Sequence, residues 1–374
     1  MKVITPEANI IVKDGNTPYQ FIERIGRTCY KSTDKITDDS AVKFVKGLAK
    51  SKHYAMLEHY WVHIMIDECE PEDVRFDLEH LLKSSLVNSH GGMTDVDKFI
   101  QVTSFKNLFI SAPLRVFLEF DNLFTEDDLV IQKFSTKYKR VNEIMAAVAE
   151  KFPELFDTNR WKKNYDHVYV MEEDEFCDNL VNDMVITNPE VICKEQMKHR
   201  THTVLFICDR GVSHEFVRHR VASFAQESTR YCNYTKDKFG NEITVIEPFF
   251  FGIGSDVGGR DTNLLYTYWY NSCRISEEYY NKLIDRGATP QEARAVLPNS
   301  LKTELIITAN DVEWQHIIDL RYDGVTGAPH PQIKEVMGLV VKNLIIRSKG
   351  RLHSYEADKE VDEKSEDVPF KASH

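Results

Sequence analysis

Apolar residues first recur at helical spacing after Thr17-Pro18, where Phe21, Ile22, Ile25 and Cys29 fall on one face. Threonine followed by proline reads as an N-cap and a first-turn residue, so a helix is predicted to start there. A second helix begins near Asp38 or Asp39 and buries Ala41, Phe44, Val45 and Leu48. Residues 60–66, Tyr-Trp-Val-His-Ile-Met-Ile, are short, apolar and rich in β-formers, which predicts a strand. Helical patterns near 71–85 and 126–151 flank a strand-like pair near 98–120, and 171–183 is acidic. A near-continuous apolar strand, Thr203-Val204-Leu205-Phe206-Ile207-Cys208, ends at Asp209-Arg210-Gly211. Ser213 is then expected to cap a short helix carrying Glu215 and the triplet Arg218-His219-Arg220. Beyond it the pattern predicts an extended loop over 221–236, a strand over 242–251 and a long aromatic-rich helix over 263–286. Residues 290–297 read as helical, 301–308 as a strand, and 311–322 and 331–346 as helices. From about 354 apolar periodicity stops, and the acidic tail 354–374 is predicted to be disordered. No internal repeat stands out.

A chain of 374 residues holds one large domain or two ordinary ones. Its 42% apolar and 28% charged residues are those of a soluble globular protein with material for a core. A net charge of −12 excludes the broad basic surface that general nucleic-acid binding requires, so any phosphate must meet a local basic pocket. The seven cysteines are an odd number without a Cys-x-x-Cys pair, which reads as reduced thiols. No leader and no apolar stretch of spanning length is seen, so a soluble cytoplasmic protein is expected, with no membrane contact.

The triplet is the densest chemistry. Consecutive side chains point in different directions, so Arg218, His219 and Arg220 cannot serve one carboxylate but can grip several anionic groups. Arginine suits phosphate because its planar fork donates parallel hydrogen bonds and keeps its charge. A bland alternative is a solvated basic helix end offsetting the helix dipole. A metal site from His214, Glu215 and His219 lacks the His-Glu-x-x-His order, since Arg218 stands where the second histidine belongs, and no metal is expected. Ser228 lacks a nucleophile elbow, and Cys232 is either a thiol activated by nearby arginines or a small packed residue. The glycines of 252–259 match neither a P-loop nor a dinucleotide fingerprint, which predicts a surface loop.

Arg218-His219-Arg220, then seven residues, then Ser228, within Gln226-Glu227-Ser228-Thr229-Arg230-Tyr231, resembles the signature of the flavin-dependent thymidylate synthases, the ThyX family. Met56-Leu57-Glu58-His59 resembles the family segment that introduces the first sheet strand. The succession through Asp319-Leu320-Arg321 to His330-Pro331-Gln332-Ile333-Lys334 resembles the one that closes the pocket. The resemblance spans about 17–66 and 200–345. It implies an α+β fold, a mixed sheet packed by helices, within one domain over 1–353 that carries a large insertion at about 67–200. That insertion is expected to serve packing or oligomer contacts.

The resemblance further implies reductive methylation of dUMP to dTMP by a homotetramer with sites between subunits. Methylenetetrahydrofolate would be the carbon donor, reduced FAD the hydride donor and NADPH the reductant. It assigns Arg218, His219, Arg220, Gln226, Asp319 and Arg321 to the flavin, with His59 on the flavin and folate side. The nucleotide falls to Glu215, Arg218, Gln226, Glu227, Ser228, Thr229, Arg230 and Lys334, of which Ser228, Arg230 and Lys334 would be catalytic. Two positions depart from the family pattern. Lys334 stands where an arginine would help ionise the uracil ring, keeping the charge without the fork. Glu304 stands where some relatives hold nucleotide phosphate with arginine. A catalytically silent flavin- or nucleotide-binding relative is the alternative reading, and a zinc hydrolase a third.

Overall fold

The structure, a computed structural model, describes residues 1–13, 15–67, 99–123, 139–161, 167–184, 188–230, 232–251 and 262–358. The pattern near 71–85, the first half of that over 126–151, Cys69, Tyr231, the glycines of 252–259 and the tail beyond 358 lie outside these residues. The fold mixes helices with β1 (Lys2–Ile4), β2 (Glu7–Ile11), β3 (Trp61–Ile66), β4 (Gln101–Ser104), β5 (Leu108–Pro113), β6 (Val168–Met171), β7 (Thr201–Asp209), β8 (Ser223–Gln226), β9 (Thr244–Ile246) and β10 (Lys302–Asn310).

A central sheet has the order β2-β7-β10-β8 with every neighbouring pair antiparallel. Alternation along its strands splits the core in two, because successive side chains leave opposite faces. Val204, Phe206, Cys208, Leu305, Ile307 and Ala309 face one core, which contains Trp314, Ile317, Ile333, Val336, Val341 and Leu344. These last belong to helices Asp311–Ile318, Pro331–Gly338 and Val341–Arg347. On the other face Leu205, Ala225 and Ile306 join Phe21, Ile22 and Ile25 of helix Pro18–Cys29 and Val45 and Leu48 of helix Ser40–Lys50. The first helix starts as its sequence predicts. Thr17 accepts from the Gln20 N–H while the Gln20 side chain accepts from the Thr17 N–H, a reciprocal cap that satisfies two otherwise orphaned donors.

Described parts of the segment after 66 pair with β3. β3 pairs with β5 and β6, giving a second antiparallel sheet in the order β4-β5-β3-β6, and does not join β7. The expected mixed sheet is therefore corrected: among the described residues there are two four-stranded antiparallel sheets, and parallel pairing is confined to β1 and β9. The strand-like pair near 98–120 is the β4–β5 hairpin followed by helix Leu114–Leu123. Helices Lys139–Lys151, Glu173–Asp183 and Pro189–His199 complete this half.

Other boundaries also move. Residues 242–251 hold only three strand residues and a 3-10 turn at Phe249–Phe251. The helix expected over 311–322 becomes one π-helical turn at Asp319–Asp323, and that over 331–346 breaks between Gly338 and Val341. Residues 354–358 of the expected disordered tail are docked on the fold. Asp323 accepts from Ser354 Oγ at 2.6 Å and from the backbone N–H groups of Tyr355 and Glu356, while Leu352, Ser354 and Ala357 are buried. Acidic composition hid this docking, because one aspartate's three hydrogen bonds leave no periodic trace. No described helix is long and apolar enough to cross a membrane.

Candidate functional site

β7 delivers the chain to Asp209, whose Oδ1 accepts from the Val212 N–H at 2.8 Å and caps helix Arg210–Phe216. Asp209, not Ser213, is the cap. Ser213 is buried inside the helix, where its Oγ donates to the Arg210 carbonyl and accepts from Gln226 Nε2, each at 2.9 Å. The helix ends before the triplet, which follows as a turn closed by the His219 N–H on the Phe216 carbonyl. The turn sends His219 inward and Arg218 and Arg220 outward.

His219 is 3% exposed and is hydrogen-bonded through Nε2. Arg321 Nε donates to Nε2 at 3.1 Å, and Glu313 Oε1 lies 3.3 Å from Nδ1. A guanidinium only donates, so Nε2 is the acceptor of this bond. The ring edge meets His316 at 5.4 Å between centroids. Arg321 also reaches the Glu215 carboxylate at 3.3 Å and the Glu215 carbonyl at 3.1 Å. Glu215 and Arg321 thus hold each other and the triplet's turn, while Asp319 accepts from Gln315 at 2.7 Å. Among the described residues neither Arg218 nor Arg220 has a carboxylate partner, so two permanent cations stand together in solvent.

The span predicted as extended loop contains β8, which hydrogen-bonds to β10. Gln226 at its end also donates to Thr303 Oγ1 at 3.2 Å. Glu227 is 4% exposed and faces Lys302 at 3.1 Å and Lys31 at 3.5 Å, and Glu304 pairs with the same two lysines. The glutamate at 304 therefore belongs to a four-charge cluster that balances itself. Ser228 is tied to helix Pro18–Cys29 through its N–H on the Cys29 carbonyl at 3.3 Å. Thr229 accepts from Arg294 at 3.4 Å, and Arg230 is exposed. Cys232 is a packed thiol: burial, then the charge of Glu227, pushes it up to about 12, away from the thiolate.

Two predicted site residues stand apart from the triplet. His59 is fully buried with Nδ1 2.7 Å from Thr308 Oγ1, and burial pushes its ring down to about 3. Within one chain it is closed to any ligand. Lys334 binds Glu356 at 2.9 Å and lies 5.8 Å from the Tyr322 ring centre.

Sequence reasoning missed Lys31, Lys302, Glu313 and Glu335. Lys302 and Glu304, two same-face charges at the head of an otherwise apolar strand, were a usable signal. Lys31 gave none, because its left-handed backbone (φ 47°) is a product of the turn. Glu335 lies beside the cap: burial, then Asp209 and Glu247, pushes its carboxyl up to about 6. A raised carboxyl favours folding while protonated, fully below its ordinary value near 4.5, and the benefit is lost as pH rises through 6. Glu335→Gln should therefore stabilise the protein by about 1 kcal/mol above pH 7, allowing for screening at a half-open position, and by little below pH 4.5. Urea midpoints at the two pH values check it, and equal shifts would refute it.

The family model described as thymidylate synthase complementing protein matches residues 131–345, more than half of the chain and including part of the segment after β3. Among curated proteins, a flavin-dependent thymidylate synthase of Pyrococcus furiosus is 29% identical over 126 residues, covering 33% of this chain and 48% of that protein. That of Pyrococcus horikoshii is 31% identical over 144 residues, covering 37% and 55%. The chain spans about half the length of the curated relatives it matches. A solved UMP/dUMP methylase, PolB from Streptomyces cacaoi bound with 5-Br UMP, shares 20% identity at a TM-score of 0.37, covering 47% of this chain and 89% of that one.

Proposed function

The chain belongs to the thymidylate synthase complementing protein family, and from that premise we propose that it is a flavin-dependent enzyme methylating dUMP to dTMP. The observation that carries the proposal is the triplet's division of labour. His219 is buried with Nε2 hydrogen-bonded by Arg321, while the exposed Arg218 and Arg220 on either side of it have no carboxylate partner among the described residues. Two free guanidiniums on a rigid turn suit the pyrophosphate of FAD, and reduced flavin, when bound, supplies the hydride. Arg321 and Glu215 then act by holding the turn, and Asp319 and Gln226 complete the flavin side.

The nucleotide would lie against Gln226 to Arg230, with the exposed Arg230 and half-buried Ser228 nearest the base. Methylenetetrahydrofolate is the proposed carbon donor and NADPH the reductant. A homotetramer belongs to the same proposal. His59 would need a local opening of the chain to meet the folate. The exposed row Leu264, Tyr268, Ile275 and Tyr279 on helix Thr262–Asp285 offers apolar surface for assembly.

Tritium release from 5-labelled dUMP, with and without methylenetetrahydrofolate and NADPH, tests the reading. Release only in the complete mixture is expected. No release from protein that retains flavin would favour the silent relative, which the engagement of Lys334 by Glu356 supports. The same assay tests Lys334. If its ammonium stabilises the uracil anion, Lys334→Gln slows release about tenfold, the equivalent of about 1.4 kcal/mol, without changing flavin content. Glu356→Gln, which frees the ammonium, should leave release at or above the original rate. Full activity in Lys334→Gln would make the residue a clamp for the C-terminal segment only.

A further inference from the structure

Helix Thr262–Asp285 carries apolar residues on two faces, and the described part of the chain covers one of them. Cys273 and Tyr280 are buried and pack, with Trp269, Leu283 and Ile284, into a separate core that contains Ile243, Val245 and Leu301. Leu264, Tyr268, Ile275 and Tyr279 are instead 46%, 64%, 50% and 54% exposed. At 3.6 residues per turn these four lie within about 60° of one another, on the far side of the helix from the buried pair. A surface helix normally shows one apolar stripe facing the core, and single exposed apolar residues need no explanation. A second stripe of four does.

The spacing of the stripe points to its partner. Its steps of four, seven and four residues read the same from either end, with the midpoint between Asn271 and Ser272. A two-fold contact requires such symmetry, because every residue that touches is touched in return. Charge selects the direction. From Thr262 to Cys273 the helix holds no charged residue, while Arg274, Glu277, Glu278, Lys282 and Asp285 all fall in its second half. Antiparallel pairing lays the charged half of each copy on the uncharged half of the other. Parallel pairing would set the exposed Arg274, Glu278 and Lys282 each beside its own copy, like charge against like. Lys282 is already paired with Glu278 and lies 5.0 Å from the Tyr279 ring centre, which keeps both charges at the rim of the stripe. Covering the four side chains on both copies removes roughly 1,000 Å² from water, the lower bound of a specific interface.

We propose that this face of helix Thr262–Asp285 binds a second copy of the same helix, antiparallel, across a two-fold axis at Asn271–Ser272. Leu264 then meets Tyr279 of the second copy, and Tyr268 meets Ile275 of the second copy. Asn271 and Ser272 are exposed and uncharged, so the crossing point of the two helices buries no charge. The pairing gives the assembly in the proposed function a particular surface and register, and it does not depend on the reaction.

Mass in solution and cross-linking of the full-length protein test the pairing apart from catalysis. Tyr268→Ser and Ile275→Ser should each raise the dissociation constant roughly 100-fold or more, because a two-fold contact loses every substituted side chain twice. Sedimentation should then show particles of half the original mass. Helix content should not change, since both side chains are exposed in the single chain. Ile346→Ser removes a side chain of a residue 73% exposed on helix Val341–Arg347 and should leave the mass as it was. Direction is read with a short bismaleimide. Tyr268→Cys co-expressed with Ile275→Cys should give more covalent dimer than either variant alone, above the background of the original protein. A monomeric original protein, an original mass kept by both serine variants, or cross-linking strongest within a single variant would each overturn the pairing. If the mass is kept, assembly runs through other surfaces, and dTMP formation by these proteins still reports on the reaction alone.

Discussion

Lys302→Met should destabilise the protein by about 3–5 kcal/mol at pH 7, the cost of leaving buried carboxylates without their cation. Glu227 is 4% exposed and lies 3.1 Å from Lys302 Nζ, and Glu304 shares the same ammonium. Lys31 alone would then face two carboxylates. The loss should depend on acid. Burial works against the charged form of Glu304, but Lys302 and Lys31 outweigh it and hold the carboxyl below its usual range. A lowered carboxyl contributes stability above its unfolded value near 4.5, and that contribution disappears as pH falls through the lower folded value. The variant's deficit should therefore be largest at neutral pH and shrink in acid. Urea unfolding at pH 7 and pH 4 measures both, and replacing Lys302 and Glu304 together by methionine should recover part of the loss. A deficit under about 1 kcal/mol at pH 7 would mean that water, not the lysine, satisfies the pair.

Arg220→Ala should do the opposite, leaving the fold intact and weakening flavin. Its side chain is exposed and has no partner among the described residues, so little folded-state energy is at stake. A charge-assisted phosphate bond contributes about 1.5–3 kcal/mol, so flavin affinity should fall roughly 10- to 150-fold. Flavin absorbance of purified protein, followed by titration of stripped protein with FAD, gives occupancy and affinity. Unchanged flavin affinity would remove the triplet's outward arginines from the cofactor site. Arg321→Ala is the contrasting case, because it releases Glu215 and His219 together and should disturb folding and flavin alike.

Signals confined to neighbouring residues were legible in the chain. The Thr17 cap, the apolar faces of the first two helices, strands β7 and β10 and the long helix after 262 all appear where local periodicity places them. So does the family, because its signature lies in one continuous stretch of phosphate-seeking residues. Conformation inside that stretch was less legible. Asp209 and Ser213 are both capping residues, and only the way β7 enters the helix selects Asp209.

Strand partners could not be read in the same way. β3 looks the same in sequence whether it pairs with β7 or with β5 and β6, since alternation records which face is buried but not what covers it. β1 and β2 are three and five residues long, and their partners lie some 200 residues away. Burial of charge was likewise settled by packing. Glu304 in isolation is an ordinary strand residue, and only the turn at Lys31 and the pairing of β8 with β10 make it one corner of a balanced cluster. The sequence by itself determined local periods, caps and the chemistry of the triplet, because these depend on near neighbours along the chain. Tertiary structure alone decided which charges are paired, which histidines are buried and which arginines are exposed, because each depends on atoms brought together from distant segments.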